Sequence, residues 1–213
     1  EWLEAVPTRW KVTRLRFALR EPLQYGANEP ADLADPDLPR YVRITDIGEG
    51  SELRADTFRS LPRQAANPYL LREGDVLFAR SGATEGKTFR YRESWGECAF
   101  AGYLIRARLD TSTADPEFVK YFTESTSYWQ WLSGVFIQAK IQNVSAEKYG
   151  DLPIPLPPID EQRSITAHLA RETTRIDTLI TKVREAIARL HELRSALISA
   201  AVTGKIDVRE EVG

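Results

Sequence analysis

The chain has 213 residues, of which 42% are hydrophobic and 28% charged, and its net charge is −2. This is the composition of a globular protein of one or two domains, long enough to bury a core. It holds no run near the roughly 18 apolar residues of a membrane span. Its one cysteine, Cys98, excludes an internal disulfide, and with only two histidines a zinc site is not expected. No basic-then-apolar leader opens the chain, so a cytoplasmic location is expected. The sequence lacks methionine, so Glu1 is not a translation start, and a processed form or part of something longer is expected.

The small net charge argues at first against a nucleic-acid partner, but its distribution matters more. From Ala5 to Arg20 there are five basic residues, Arg9, Lys11, Arg14, Arg16 and Arg20, and no acid. From Val76 to Arg92 there are Arg80, Lys87, Arg90 and Arg92 against Glu85 alone. Acids gather in 29–37 and 49–56. Arginine outnumbers lysine 22 to 7; its fork suits phosphate and guanine edges, and equally surface ion pairs.

In chain order, Tyr41–Ile47 alternates polar and apolar residues and predicts a strand ending at Gly48. Asp75–Ala79 is a short apolar run between turn signals. Thr88–Tyr91 and Ala99–Leu109 predict further strands, the second interrupted at Gly102. Pro116–Leu132 predicts one helix, with Asp115 as cap and Pro116 in the first turn. Residues 1–152 therefore predict a mixed α+β globular domain. In 153–159 the prolines 153, 155, 157 and 158 predict an extended, rigid linker.

Residues 160–213 predict one long helix and a short tail. Leu169, Ile176, Val183, Leu190 and Leu197 recur every seven residues. Ile165, Leu179, Ala186, Leu193 and Ala200 fill the companion position, and Ile180 and Ile187 widen the stripe. With Asp160 as cap and Gly204 as stop, the helix would be about 42 residues and about 63 Å long. A heptad stripe of that length predicts a coiled coil. The chain holds no second long helix, so the partner is expected in another copy or another polypeptide. The alternative is a helix lying flat on its own domain.

Three motifs bear on chemistry. Gly82–Thr88 resembles a Walker loop, but only three residues separate its glycines and Phe89–Arg92 alternates like a strand, so an NTPase is rejected. The stretch predicts an exposed loop offering Arg80, Ser81, Thr84 and Lys87 to DNA phosphates, or else a plain polar turn. Asn67-Pro68-Tyr69 lacks the second proline of the amino-methyltransferase signature, and no glycine-rich cofactor loop follows a strand, so it is taken as a turn. Residues 125–146 hold one charge, Lys140, with several amides and aromatics. Gln138, Lys140 and Gln142 alternate as on one face of a strand and are candidates for reading base edges. In the alternative, the aromatics are core and the amides serve turns. His168 and His191 join no acid–nucleophile constellation, and no catalytic triad is legible.

Taken in order, EWLEAVPTRWKVTRL, YVRITDI, LLREGDVLFARSGATEGKT, DPEFVKYF, QAKIQNVSAEKYGDLPIPLPPIDEQRSI and LISAAVTGKIDVRE resemble the specificity subunit of type I restriction–modification systems. The resemblance runs nearly end to end. It implies a non-catalytic protein whose target-recognition domain reads one half of a bipartite sequence in double-stranded DNA. Long helices in that family pair antiparallel and dock the modification (methyltransferase) subunits, and the complex recruits a restriction subunit. No cofactor is then expected on this chain: S-adenosylmethionine belongs to the modification subunit, and ATP and Mg to the restriction subunit. A full subunit has two recognition domains and two helices, whereas this chain has one of each. A half-length subunit acting as a homodimer and the C-terminal half of a longer one both remain open. A coiled-coil adaptor whose globular domain binds protein is the alternative of another class; an active methyltransferase is disfavoured by the absent cofactor loop.

On this reading Arg9, Lys11, Arg14, Arg80, Ser81, Thr84 and Lys87 are the phosphate candidates, and Gln138, Lys140 and Gln142 the base-reading candidates. Ile165, Leu169, Ile176, Leu179, Val183, Ile187, Leu190, Leu193 and Leu197 are the helix-pairing residues.

Overall fold

The computed structural model describes residues 6–48, 52–81, 85–139 and 143–206, without the side chains of residues 138 and 139. The chain divides into two compact units, 1–166 and 167–213.

The first unit is α+β. Its strands are β1 (Lys11–Arg14), β2 (Gln24–Tyr25), β3 (Arg40–Val42), β4 (Val76–Ala79), β5 (Thr88–Arg90), β6 (Cys98–Phe100), β7 (Leu104–Ala107) and β8 (Pro153–Leu156). Four of them form a sheet in the order β2-β7-β4-β5, antiparallel throughout. β3 and β6 pair in parallel, and β1 and β8 form an antiparallel ribbon. Among the helices, α1 (Arg63–Ala66) is a single turn; α2 (Pro116–Phe122), α3 (Thr126–Ala139) and α4 (Ala146–Gly150) follow β7.

β4 sits between β7 and β5 and is buried along its whole length. Successive side chains of a strand point to opposite faces. Val76 and Phe78 accordingly enter one core cluster with Ile105, Ala107, Phe118, Leu132 and Tyr149. Leu77 and Ala79 enter another with Val42, Phe89, Phe100 and Leu104. Burial on both faces is why this segment is a continuous apolar run rather than an alternation.

Three local expectations are revised. Tyr41–Ile47 is not one strand: β3 ends at Val42 and residues Ile44–Asp46 form a 3-10 turn. There Asp46 accepts from the Arg43 backbone N–H at 2.7 Å and pairs with its guanidinium. The helix expected over Pro116–Leu132 is two helices, broken at Thr123–Ser125. Thr123 turns its hydroxyl back to the Lys120 carbonyl at 2.7 Å, and Ser125 Oγ accepts from Tyr128 N at 3.3 Å as a new start. Such local side-chain bonds compete with helix continuation.

The proline-rich segment is a strand rather than a linker. Pro153–Leu156 pairs with β1 in the register Lys11↔Leu156 to Arg14↔Pro153. In an antiparallel ladder only every second N–H faces the partner, so prolines at 153 and 155 leave the pairing intact on a two-stranded ribbon. Ile154 and Leu156 between them are buried in the larger core.

The helix α5 (Ile159–Val202) has 44 residues, about 66 Å at 1.5 Å per residue. Asp160 lies inside its first turn rather than capping it. Near its end Gly204 takes φ +71° while Lys205 N bonds to Ala200 O at 2.8 Å, a left-handed C-terminal stop. The first two turns belong to the globular unit. Gln162 is fully buried and uses its whole amide: Oε1 accepts from Asp115 N at 2.8 Å, and Nε2 donates to Thr113 O at 2.9 Å and Pro157 O at 2.8 Å. Ile165, grouped with the heptad stripe by spacing, packs against the globular core instead. Leu169 is half-buried. In the second unit the stripe is exposed, from 49% at Ile187 to 63% at Leu190, with Ile176, Leu179, Val183, Leu193 and Leu197 between those values.

Candidate nucleic-acid interface

The loop after β4 and the segment entering α4 meet although Arg80 and Asn143 are 63 positions apart in the chain. Arg80 N donates to Tyr103 O at 3.0 Å, Val144 N donates to Arg80 O at 2.9 Å, and Ser81 bridges to Asn143. The Arg80 guanidinium lies 4.8 Å from the centre of the Tyr25 ring, and its Nε donates to Asn143 Oδ1 at 3.2 Å. Tyr25 is itself held, its hydroxyl accepting from Ala146 N at 2.9 Å. The guanidinium is thus oriented by a ring face and a neutral amide, which leave its charge uncancelled.

Two buried tyrosines fix the base of this loop. Tyr149 OH donates to Ala79 O at 2.8 Å and Tyr128 OH to Gly86 O at 2.6 Å. Burial pushes both phenols well above their ordinary pKa, so they stay protonated donors. Gly86 N and Ala79 O close the loop at 2.9 Å. Gly86 has φ +81°, and a Cβ there would strike Leu132 and Trp129, so the turn requires glycine.

Of the phosphate candidates, Arg80, Ser81 and Lys87 lie together on this loop and Lys87 is exposed. Among the described residues neither Arg80 nor Lys87 has a carboxylate within ion-pair distance. Arg9 and Arg14 are engaged elsewhere: Arg9 pairs with Glu161 at 2.6 Å, and Arg14 with Asp151 at 3.1 Å, an acid also bonded by Arg16. Lys11 is exposed on β1. Thr84, Lys140 and Gln142 lie outside the described residues. Gln138 lies in the last turn of α3, so the expectation of a strand there does not hold at that position.

Sequence reading missed Tyr25 and Tyr103. Tyr103 is 67% exposed on the turn between β6 and β7, beside Arg80 through the backbone bond. Neither tyrosine sits in a motif; only the sheet brings them to Arg80.

Cys98 is buried and its thiol is pushed up to about 12 by burial, so it is no nucleophile. Among the described residues there is no cluster of metal-ligating side chains and no helix long and apolar enough to cross a membrane.

No protein-family model matches the chain. Sequence relatives do. The EcoKI specificity subunit of the type I restriction enzyme of Escherichia coli K12 is 29% identical over 138 residues, 62% of this chain and 29% of that protein. The EcoBI specificity subunit of Escherichia coli is 23% identical over 206 residues, 94% of this chain and 43% of that protein. Its relatives are type I restriction enzyme specificity subunits. Solved structures agree on the fold. The HsdS subunit of Thermoanaerobacter tengcongensis matches with a TM-score of 0.62 at 21% identity, over 95% of this chain and 47% of that one. A chain from a structure of the assembly of a type I R-M system matches with a TM-score of 0.70 at 21% identity, over 93% and 47%. The chain spans less than half the length of each of these proteins.

Proposed function

We propose that this chain is a non-catalytic DNA-recognition subunit, or half of one, of a type I restriction–modification system. Its globular unit would read one half of a bipartite site in double-stranded DNA. Its long helix would set the spacing to a second recognition unit and dock modification subunits. The observation that carries this reading is the half-length correspondence: 94% of the chain, one globular unit and one long helix, aligns with 43% of the EcoBI specificity subunit. The exposed heptad stripe supports it, because such a seam lowers its free energy by pairing.

In this scheme Arg80 and Lys87 contact phosphates and position the unit, and Gln138, Lys140 and Gln142 are the candidates for reading base edges. Methyl transfer and cleavage belong to partners: S-adenosylmethionine on the modification subunit, ATP and Mg on the restriction subunit. If two recognition units face the same side of the duplex, their half-sites lie about 34 Å apart or a multiple of it. The test is to express the chain with its modification subunit and map methylated positions by sequencing. The reading expects a two-part target; Lys140 and Gln142 substitutions should alter the half-site that this unit reads, in both parts of the target where two copies pair, and leave the spacer unchanged. Methylation without sequence preference, or none with a competent modification subunit, would overturn it.

A further inference from the structure

On β7, the strand between β2 and β4, and just beyond it, two arginines are buried together. Arg106 and Arg108 follow one another on the same face of β7 and its extension, 6% and 9% exposed. Arg108 grips Asp75 with two bonds, Nε to Oδ1 at 2.9 Å and Nη2 to Oδ2 at 2.8 Å, and donates Nη1 to Glu21 at 2.9 Å. Arg106 shares that same Glu21 oxygen, through Nη2 at 3.0 Å. Its Nε is buried and has no hydrogen-bond partner. The Arg106 guanidinium lies over the Phe100 ring at 5.9 Å.

A recess of about 440 Å³ opens onto this group, with Glu21, Gln24, Asn67, Arg72, Arg106 and Arg108 in its wall. Arg72 is exposed there. The Gln24 amide is already spent on Pro68 O at 3.1 Å. Three guanidinium groups, Arg72, Arg106 and Arg108, therefore stand in the wall with one carboxylate, Glu21, while Asp75 holds Arg108 from outside the recess, so one positive charge is left uncancelled. An anion in the recess offsets that charge. One carboxylate can be satisfied by a single guanidinium fork. Three guanidinium groups around one volume suit a group with more acceptor oxygens.

We propose that this recess binds a tetrahedral oxyanion of the phosphate class. Free inorganic phosphate and the phosphodiester of a polynucleotide share that chemistry.

The experiment compares thermal unfolding of the full chain in sodium phosphate and in sodium chloride at equal ionic strength. Phosphate strengthens apolar burial in any protein, so the readout is the difference between wild type and variant. Arg72→Gln alters an exposed residue that the fold does not need, and Arg106→Met probes the buried donor. At phosphate ten times its dissociation constant, wild type should gain about 3 °C beyond the gain of Arg72→Gln. An equal gain in both proteins overturns the proposal, whether or not Arg106→Met folds. A second arm measures binding of a fluorescent duplex with and without phosphate at constant ionic strength. Several-fold weaker binding in wild type but not in Arg72→Gln assigns the recess to the DNA backbone. Unchanged binding in both, with the melting difference present, assigns it to the free anion. The melting arm does not depend on DNA recognition, so the two readings fail separately.

Discussion

At the scale of residues, the sorting is between cations already neutralised and cations left free. Counting basic residues along the sequence gave Arg9, Arg14 and Arg80 equal standing. Their partners separate them: Arg9 and Arg14 face carboxylates, whereas Arg80 is held by Tyr25 and Asn143. Arg80→Ala is expected to reduce the slope of log affinity against log salt by roughly 0.9, the signature of one lost phosphate contact. Arg9→Ala should change it much less; both slopes come from duplex titrations at several salt concentrations. Glu85, at the base of the same loop, has a buried oxygen with no hydrogen-bond partner, and desolvation raises its pKa. A carboxyl raised on folding favours the folded state in acid, and that contribution is lost as pH rises through the folded value. Glu85→Gln is therefore expected to raise the melting temperature by a degree or two near pH 7 and not near pH 3, as scanning calorimetry would show (about the shift of a few tenths of a kcal/mol in a chain this size). Glu21 has the opposite sign. Its hydrogen bond from Arg108 holds its carboxyl below the usual range, so its contribution is present at neutral pH and lost in acid.

At the scale of elements, legibility followed local chemistry. β4, β5, β6 and β7 were visible because apolar runs and glycine breaks are local signals. The break between α2 and α3 was not, because it depends on Thr123 and Ser125 choosing local hydrogen bonds over helix continuation. β8 was misjudged for a different reason. Four prolines exclude a helix, but whether the extended segment stands alone or pairs depends on β1, about 140 residues earlier. The candidate site was half legible: Arg80, Ser81 and Lys87 from their string, Tyr25 and Tyr103 not at all. Gln162 is the element-level keystone, since its amide joins the start of α5 to the residues before α2 and after β8. Gln162→Leu leaves one N–H and two carbonyls unsatisfied in a buried place and should cost about 3 kcal/mol, measured by urea unfolding.

At the scale of the whole molecule, the exposed stripe is the dominant unresolved free energy. Ten apolar positions more than 40% exposed on one helix, Ile176 to Val202 with the heptad positions among them, are far from what an isolated helix in water keeps stable. Leu190→Lys with Val183→Lys places two charges in the seam. The native mass of the unsubstituted chain should exceed that of one copy and fall to one copy in the double variant, by light scattering. A single-copy mass for both would mean that the seam is satisfied by a different polypeptide. Inserting four residues near Ile187 should shift the spacing of methylated half-sites without altering their bases.

The ribbon of β1 and β8 carries one last consequence. The backbone enters the globular unit through one of its strands and leaves through the other, side by side. Everything that distinguishes one target from another would be looped out between two neighbouring stitches. On the proposed function, exchanging that loop for one from a different homologue would ask only that the stitches match, so that new target preferences would arise by cassette exchange while the rod stays as it is.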